Sequence, residues 1–189
     1  MSMVHVESVG QNTLDHVNKV LGSFGNGSLA TRAVAAAAKR AAQKGKTEAG
    51  RFAAAEYTIG KSGFMSHCKI KSSVSGGEGG ATSVSIEFAG AVIPLLEFNT
   101  RYARGGRLTT TVKSGSSATL YHAFVAPMFG PAAVFEHINQ TRGPVEQKFG
   151  PSTGHMMQND VIIEQEDRVM METFEQRIDH EISRILAGL

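Results

Sequence analysis

The sequence predicts an α+β fold in which an antiparallel β-meander lies between helical segments. Two observations lead to this prediction. Near both ends of the chain, apolar residues recur at spacings of three and four, which is the period of an amphipathic helix. In the middle, polar and apolar residues alternate, which is the period of a half-buried strand. The 189 residues suit a single domain, 1–189, with an N-terminal helical part (1–57), a β-sheet part (58–150) and a C-terminal helical part (151–189).

Two helices are predicted in the N-terminal part. The first covers residues 13–21 (TLDHVNKVL), where the apolar residues follow one another at three and four. The second covers residues 29–56 and contains runs of alanine, the residue with the highest helix propensity. Ser28 is a candidate N-cap of this second helix. Gly45 and Gly50 fall in its interior and weaken it, because glycine there costs about 1 kcal/mol relative to alanine.

Five or six strands are predicted in the middle of the chain. The clearest is ATSVSIEF, in which Ile86 and Phe88 share one face and Glu87 lies on the other. The glycine-rich stretch 75–80 (SGGEGG) connects it to the strand before it as a hairpin. Pro94 indicates an edge position or a bulge, since proline has no N–H to donate. The predicted strands are 68–74, 81–88, 91–98, 107–112, 120–125 and, as a sixth, 134–136.

Helix is predicted again after Pro151. Ser152 or Thr153 starts a short helix, and Asn159 or Asp160 caps a longer one. The longer helix runs to about residue 186 and packs on the sheet through an apolar stripe. The stripe consists of Phe174, Ile178, Ile182, Ile185 and Leu186.

Charge is spread unevenly along the chain, although the formal net charge is only +2. Residues 32–51 hold six basic side chains against one acid, and residues 164–184 hold seven acids against three arginines. These two helices either attract each other, within one subunit or across a subunit boundary, or form two separately solvated faces. The candidate subunit contacts are Arg32, Lys39, Arg40, Glu172 and Glu175.

The sequence predicts no catalytic, cofactor or metal site. Cys68 is the only cysteine, which fits a reducing compartment. The segment 60–62 (GKS) ends like a phosphate-binding loop, but Ala55 stands where that loop needs its first glycine. No two of the seven histidines have the i, i+4 spacing of a helical metal pair. We therefore expect a protein that is not an enzyme. It also has no apolar run of about 18 residues, so we expect no membrane partner and synthesis in the cytoplasm.

The loop RYARGGR is the candidate contact surface for a partner or for DNA. It holds Arg101, Tyr102, Arg104 and Arg107. Arginine beside an aromatic ring grips a phosphate backbone or the carboxylates of a protein. An ordinary basic hairpin loop is the alternative. A small nucleic-acid-binding module that uses the basic helix 32–51 and the loop 101–107 is therefore one functional hypothesis, and its affinity for DNA should fall steeply with salt.

A second hypothesis comes from the order of several segments. They are the alanine-rich second helix that leads into Tyr57, IPLLEF at Ile93–Phe98, AFVA at Ala123–Ala126, VF at Val134 and Phe135, GPS at Gly150–Ser152, and the C-terminal helix with Glu172, Phe174 and Arg177. In this order the chain resembles the phage minor tail protein Z family, the tail-completion proteins of long-tailed bacteriophages. The resemblance covers most of the chain.

The resemblance implies a structural virion protein that is added late in tail assembly, where the tail joins the head. Proteins at this position form rings, often of six subunits that match the tail tube. The implied partners are other copies of the chain, the tail tube or tail terminator, the head-neck connector proteins and DNA in the channel. The implied location is the tail or neck of the virion, after synthesis in the host cytoplasm.

Overall fold

The α+β class is confirmed by the computed structural model of the chain, which has small antiparallel sheets and a long C-terminal helix. The structure describes Lys19 and residues 27–76, 82–128, 130–138 and 143–187. The predicted helix over 13–21 therefore lies outside the described residues, apart from Lys19. Most of the glycine-rich connection at 75–80 lies outside them as well.

Four α-helices occur in the described residues: α1 (Gly27–Glu56), α2 (Lys61–His67), α3 (Thr153–Met156) and α4 (Asp160–Leu186). The prediction of a helix over 29–56 is confirmed by α1, which is continuous through Gly45 and Gly50. It begins at Gly27, so Ser28 lies inside the helix rather than at its cap. None of these helices is both long enough and apolar enough to cross a lipid bilayer.

The two helices after Pro151 are confirmed. Ser152 caps α3, since its hydroxyl oxygen accepts a hydrogen bond from the backbone N–H of His155 at 3.2 Å. On α4 the predicted stripe is buried at Phe174, Ile178 and Ile182, whereas Leu186 is exposed. The short helix α2 after Tyr57 was not predicted, because seven residues show too little of a 3.6-residue period.

In the part of the chain that the structure describes, ten short strands replace the predicted five or six. They are β1 (Lys69–Gly76), β2 (Thr82–Ala89), β3 (Val92–Pro94), β4 (Asn99–Tyr102), β5 (Leu108–Thr111), β6 (Ser117–Leu120), β7 (Ala123–Ala126), β8 (Ala133–His137), β9 (Val145–Gln147) and β10 (Phe149–Ser152). Among the described residues they form four small sheets, β1-β2, β10-β3, β4-β5-β6 and β7-β8-β9, instead of one meander.

Two predicted strands are interrupted. The segment Ile93–Phe98 leaves the strand after Pro94 and forms a 3-10 turn over Leu95–Glu97, because proline has no N–H with which to continue the ladder. The predicted strand over 120–125 breaks at Tyr121 and His122. Its two halves, β6 and β7, belong to different sheets.

The described chain forms two compact units, each built from separate stretches of sequence. The first contains Gly50–Lys69 and Ala89–Asn159, which include the sheets β10-β3, β4-β5-β6 and β7-β8-β9 completely. Its core holds Ile59, Phe64, Ile93, Phe98, Leu108, Val134, Phe135 and Met156. A Cβ on Gly150 would overlap the Phe98 ring, so glycine is required where β10 crosses this core.

The second unit contains α1 up to Ala49, Ile70–Phe88 and α4. Its core holds Ala37, Ala38, Ala41, Ala49, Ile86, Phe88, Ile162, Met170, Phe174 and Ile178. Gly45 is a point of close approach, since a Cβ there would lie 2.7 Å from Glu166 Oε1, 2.9 Å from Met170 Sδ and 3.0 Å from Ile86 Cδ1. Because Gly45 has no side chain, side chains of α4 and β2 can both pack against α1 at this position.

Candidate contact surface on the three-stranded sheet

The RYARGGR segment is a β-hairpin, and its first two residues end β4. In the turn, the N–H of Ala103 donates to the carbonyl of Arg107 at 2.7 Å, and the N–H of Gly106 donates to the carbonyl of Ala103 at 3.2 Å. Gly105 and Gly106 have φ values of 88° and 75°, in the left-handed region that glycine enters without steric cost. The two glycines thus form the turn and allow β5 to pair directly with β4.

The strand register divides these residues between two faces of the sheet. Arg101 is paired with Thr109, which is paired with Thr119 on β6. Leu108, the neighbour of Thr109, is 1% exposed and lies on the opposite face. One face of the sheet is therefore part of a core, and the other presents Arg101 to solvent.

Arg107 belongs to the same exposed face as Arg101. It precedes the buried Leu108, and its guanidinium carbon lies 5.0 Å from the centre of the Tyr121 ring. The ring of Tyr121 is 65% exposed. We define the basic sheet face as Arg101, Arg107, Thr109, Thr119 and Tyr121, with Arg104 exposed at the adjoining turn.

Tyr102 has a different position from the one that the sequence indicates. It is paired with Leu108, on the face opposite Arg101. Its hydroxyl oxygen accepts a hydrogen bond from the backbone N–H of Val125 at 3.1 Å, which ties β4 to β7. The aromatic ring in contact with an arginine of this hairpin is Tyr121, a residue that the sequence analysis missed. The strand order β4-β5-β6 was needed to find it, because Tyr121 meets Arg107 only across two paired strands.

The surroundings of the basic sheet face contain no carboxylate from the same stretch of chain. The sequence has no Asp or Glu between Glu97 and Glu136. The same interval holds the three arginines of the hairpin and Lys113, all four exposed. The stretch between Glu97 and Glu136 therefore carries a formal charge of +4, whereas the net formal charge of the whole chain is +2.

The candidate subunit contacts on the two long helices are all exposed. Arg32, Lys39 and Arg40 lie on the surface of α1. Glu172 and Glu175 lie on the surface of α4.

The ion pairs described in the two long helices join residues of the same helix. Lys44 Nζ lies 3.0 Å from Glu48 Oε1 on α1, and Arg184 Nη2 lies 3.4 Å from Glu181 Oε2 on α4. Each pair occupies part of its own helix surface and leaves the five candidate contacts at the surface.

A buried carboxyl group lies where α1 meets α4, which the sequence analysis missed. Glu166 is 1% exposed, and neither of its oxygens has a hydrogen-bond partner among the described residues. Burial, together with smaller contributions from the nearby carboxylates Asp167 and Glu48, raises the pKa of Glu166 to about 8. Glu166 is therefore protonated and neutral at pH 7.

An apolar edge occurs on the two-stranded sheet of the first unit. We define it as Val92, Leu96 and Phe149, which are 51%, 36% and 47% exposed. Phe149 is directly cross-strand from Pro94, so it lies next to the strand that carries Val92. A groove of about 370 Å³ runs beside it, with Pro94, Leu96, Pro131 and Phe135 among its lining residues. The edge thus combines exposed apolar side chains with a concave surface.

Comparisons with known proteins do not assign this chain to a family. No protein-family model, no curated protein and no solved structure matches it. The similarity to the tail-completion family therefore stays a prediction from the order of segments. Within the described ranges, no group of three or more His, Cys, Asp or Glu residues is arranged to hold a metal ion.

Proposed function

We propose that this protein is a structural virion protein of a tailed bacteriophage. In this proposal it is a minor tail or tail-completion protein that forms a ring, of six copies, at the head-tail junction and joins the tail to the head. Its partners are further copies of itself, the tail tube or tail terminator, and the head-neck connector proteins. The order of segments from the alanine-rich helix to the C-terminal helix, which resembles that of the tail-completion family, supports this type of assembly.

The observation that carries the proposal is the apolar edge. Val92 and Phe149 expose about half of their surface on a sheet of two strands, beside a groove that Leu96 lines. Exposed apolar side chains that adjoin a groove are typical of surfaces that bind another protein. A strand edge also offers unpaired backbone groups, which a neighbouring subunit can use by strand addition.

The charges of the long helices support a ring. A ring needs a heterologous interface, in which one surface meets a different surface of the next copy. The exposed cations of α1 (Arg32, Lys39 and Arg40) and the exposed acids of α4 (Glu172 and Glu175) are two such different surfaces of opposite sign. Opposite potentials raise association rates and select the orientation of the partner.

The first test is the oligomeric state of the purified protein. We expect mass photometry to find particles of about six times the 20.1 kDa chain mass, in equilibrium with smaller species. Immunogold labelling of virions should then place the protein at the neck. A protein that stays monomeric at high concentration, or label spread over the capsid or tail fibres, would contradict the proposal.

The second test uses charge exchange. Replacing Glu172 and Glu175 with lysine should reduce ring formation and leave the thermal midpoint nearly unchanged, because both side chains are exposed. Replacing Arg32 and Arg40 with glutamate should have the same effect. The quadruple variant, in which the two charges are exchanged, is the matched control and should regain rings. Equal ring fractions in all four proteins would end the electrostatic part of the proposal.

The third test concerns the apolar edge. Phe149→Ser should weaken association, because it removes an exposed apolar side chain that has little part in either core. Leu186→Ser is the matched control, since Leu186 is exposed to a similar extent, 51%, on α4. If the two variants assemble alike, the edge is not part of the interface.

A further inference from the structure

We infer that the basic sheet face binds the phosphate backbone of a nucleic acid without regard to sequence. The inference goes beyond the proposed ring, because it concerns what one isolated chain binds. It depends on the register of β4, β5 and β6, which brings residues of three successive strands onto one face.

The first property is the spacing of the two arginines. Arg101 is opposite Thr109 on β5, and Arg107 is two residues before Thr109, immediately before β5 begins at Leu108. Diagonal neighbours of this kind lie about 7–8 Å apart in a sheet. Two arginines at backbone positions this far apart can each hold a different phosphate of one strand, and each guanidinium can donate two parallel hydrogen bonds.

The second property is the support that Tyr121 gives to Arg107. The guanidinium lies over the ring at 5.0 Å, which restricts its orientation before any ligand arrives. A side chain that is already ordered loses less conformational entropy on binding. The exposed ring of Tyr121 also offers a surface on which an unpaired base can stack.

The third property is the row of hydroxyl groups beside the arginines. Thr109 and Thr119 are cross-strand neighbours on this face, and Ser117 lies two residues before Thr119. Serine and threonine hydroxyls commonly donate to phosphate oxygens and position a nucleic acid without reading its sequence. The face therefore supplies both charge and neutral donors, as a backbone contact requires.

The fourth property is the absence of competing carboxylates in this stretch of chain. No Asp or Glu occurs between Glu97 and Glu136. The other basic surface, on α1, differs in this respect, because Lys44 is paired with Glu48 there. The sheet is therefore a better site for a polyanion than the basic helix.

The test measures the affinity of the intact protein for a short labelled oligonucleotide by fluorescence anisotropy, over salt concentrations from about 50 to 200 mM. Single-stranded and duplex forms of one sequence are compared, since they present the same phosphates in different geometry. For the duplex, each lost phosphate contact should reduce the slope of log K against log salt by about 0.9. Replacing Arg101 and Arg107 with alanine should therefore reduce the slope by about 1.8 and weaken binding to both forms.

The matched control is the replacement of Lys69 and Lys71 with alanine. It removes the same formal charge from exposed positions on β1, outside the proposed subunit contacts, and should leave the slope unchanged. If it lowers the slope as much as the sheet variant does, binding is general attraction to cations and the inference fails. Absence of binding to either form at low salt also overturns it.

A measurement on the unaltered protein avoids the question of whether the variants fold. Phenylglyoxal modifies accessible arginines, and mass spectrometry can follow each site. Bound oligonucleotide should protect Arg101 and Arg107 and leave Arg40 reactive. Equal protection, or none at the sheet, would contradict the inference.

Ring formation by the sheet variant separates this inference from the proposed function. If the variant forms rings normally and has lost DNA affinity, both proposals stand. If the unaltered protein forms rings and binds no oligonucleotide, the inference fails alone. If it binds oligonucleotide and remains monomeric, the ring proposal fails alone.

Discussion

The basic sheet face and the contact between α1 and α4 at Gly45 differ in where they place ionisable groups. The sheet exposes them to solvent, and the helix contact buries one. The sheet leaves Arg101 in water, where a charge costs little free energy and stays available to a ligand. The helix contact encloses Glu166, whose carboxyl group finds no hydrogen-bond partner among the described residues. Removing a carboxyl group from water costs much more free energy when the group is ionised than when it is protonated. We therefore expect charge on the sheet to affect binding and charge at the helix contact to affect folding.

The largest effect should be the dependence of stability on pH through Glu166. Its pKa is raised from 4.5 to about 8 in the folded protein, so the folded state holds a proton that the unfolded state releases between these values. The contribution of Glu166 to stability should be complete below about pH 4.5 and be lost as the pH rises to about 8, by up to about 1.4 kcal/mol per pH unit. Asp167, whose pKa burial also raises, adds to the loss in the same direction.

Denaturant melts across this pH range test the effect. Glu166→Gln should remove most of the slope and be more stable than the original protein at alkaline pH, because the amide never ionises. Glu164→Gln is the matched control, since Glu164 is an exposed acid two residues earlier on the same helix. A slope that survives in Glu166→Gln would show that other groups cause it.

The second effect should come from Gly45→Ala. The new methyl group would lie within 3.0 Å of atoms on both α4 and β2, which forces them apart. We expect a loss of about 1–3 kcal/mol in the free energy of unfolding, the usual cost of overpacking. Gly50→Ala is the control in the same helix, because its Cβ meets flexible side chains, Lys61 and Met65. A gain from Gly45→Ala would mean that helix propensity outweighs the contact.

A smaller effect should separate the two tyrosines near the hairpin. Tyr102→Phe removes the acceptor of the Val125 N–H and should cost about 1 kcal/mol. Tyr121→Phe keeps the ring under Arg107 and should leave stability within about 0.5 kcal/mol. Thermal melts of both variants are the measurement. The reverse order would mean that the hydroxyl of Tyr121 has an important structural role.

The smallest effect on folding should come from Arg101→Ala. An exposed side chain outside a cap or core typically changes stability by less than about 0.5 kcal/mol. The same substitution should lower nucleic-acid affinity measurably at low salt. A larger loss of stability would assign this arginine to the fold, and the contrast between the sheet and the helix contact would then fail.

The long helices were predictable from the sequence because the 3.6-residue period repeats over many turns in each of them. Within α1 and α4 several turns repeat the pattern, and the predicted ends agree with the structure to within two residues. Strands such as β9 and β10 have three or four residues, too few for an alternation to be recognised. The predicted strand over 120–125 reads as one continuous run, so the break that puts β6 and β7 in different sheets was not predictable from the local pattern.

The candidate site was predictable in its residues but not in its geometry. The arginines of the hairpin can be read directly from the sequence. The contact of Arg107 with Tyr121 depends on the register of the strands and could not be read from it. One signal was present and was overlooked. Ile162, Glu166, Met170, Phe174 and Ile178 follow one another at spacings of four, so Glu166 occupies a position of the apolar stripe. An acid at such a position indicates a buried carboxyl group.

The assembly of both compact units from separate stretches of sequence affects the order of events on the ribosome. The second unit needs α4 to cover α1 and β2, so it cannot close before Asp160–Leu186 has been synthesised. Until then the apolar side of α1 has no partner from α4, and chains in this condition are prone to aggregate. Stop codons or proteolytic cuts before α4 should therefore yield insoluble fragments rather than a smaller folded protein.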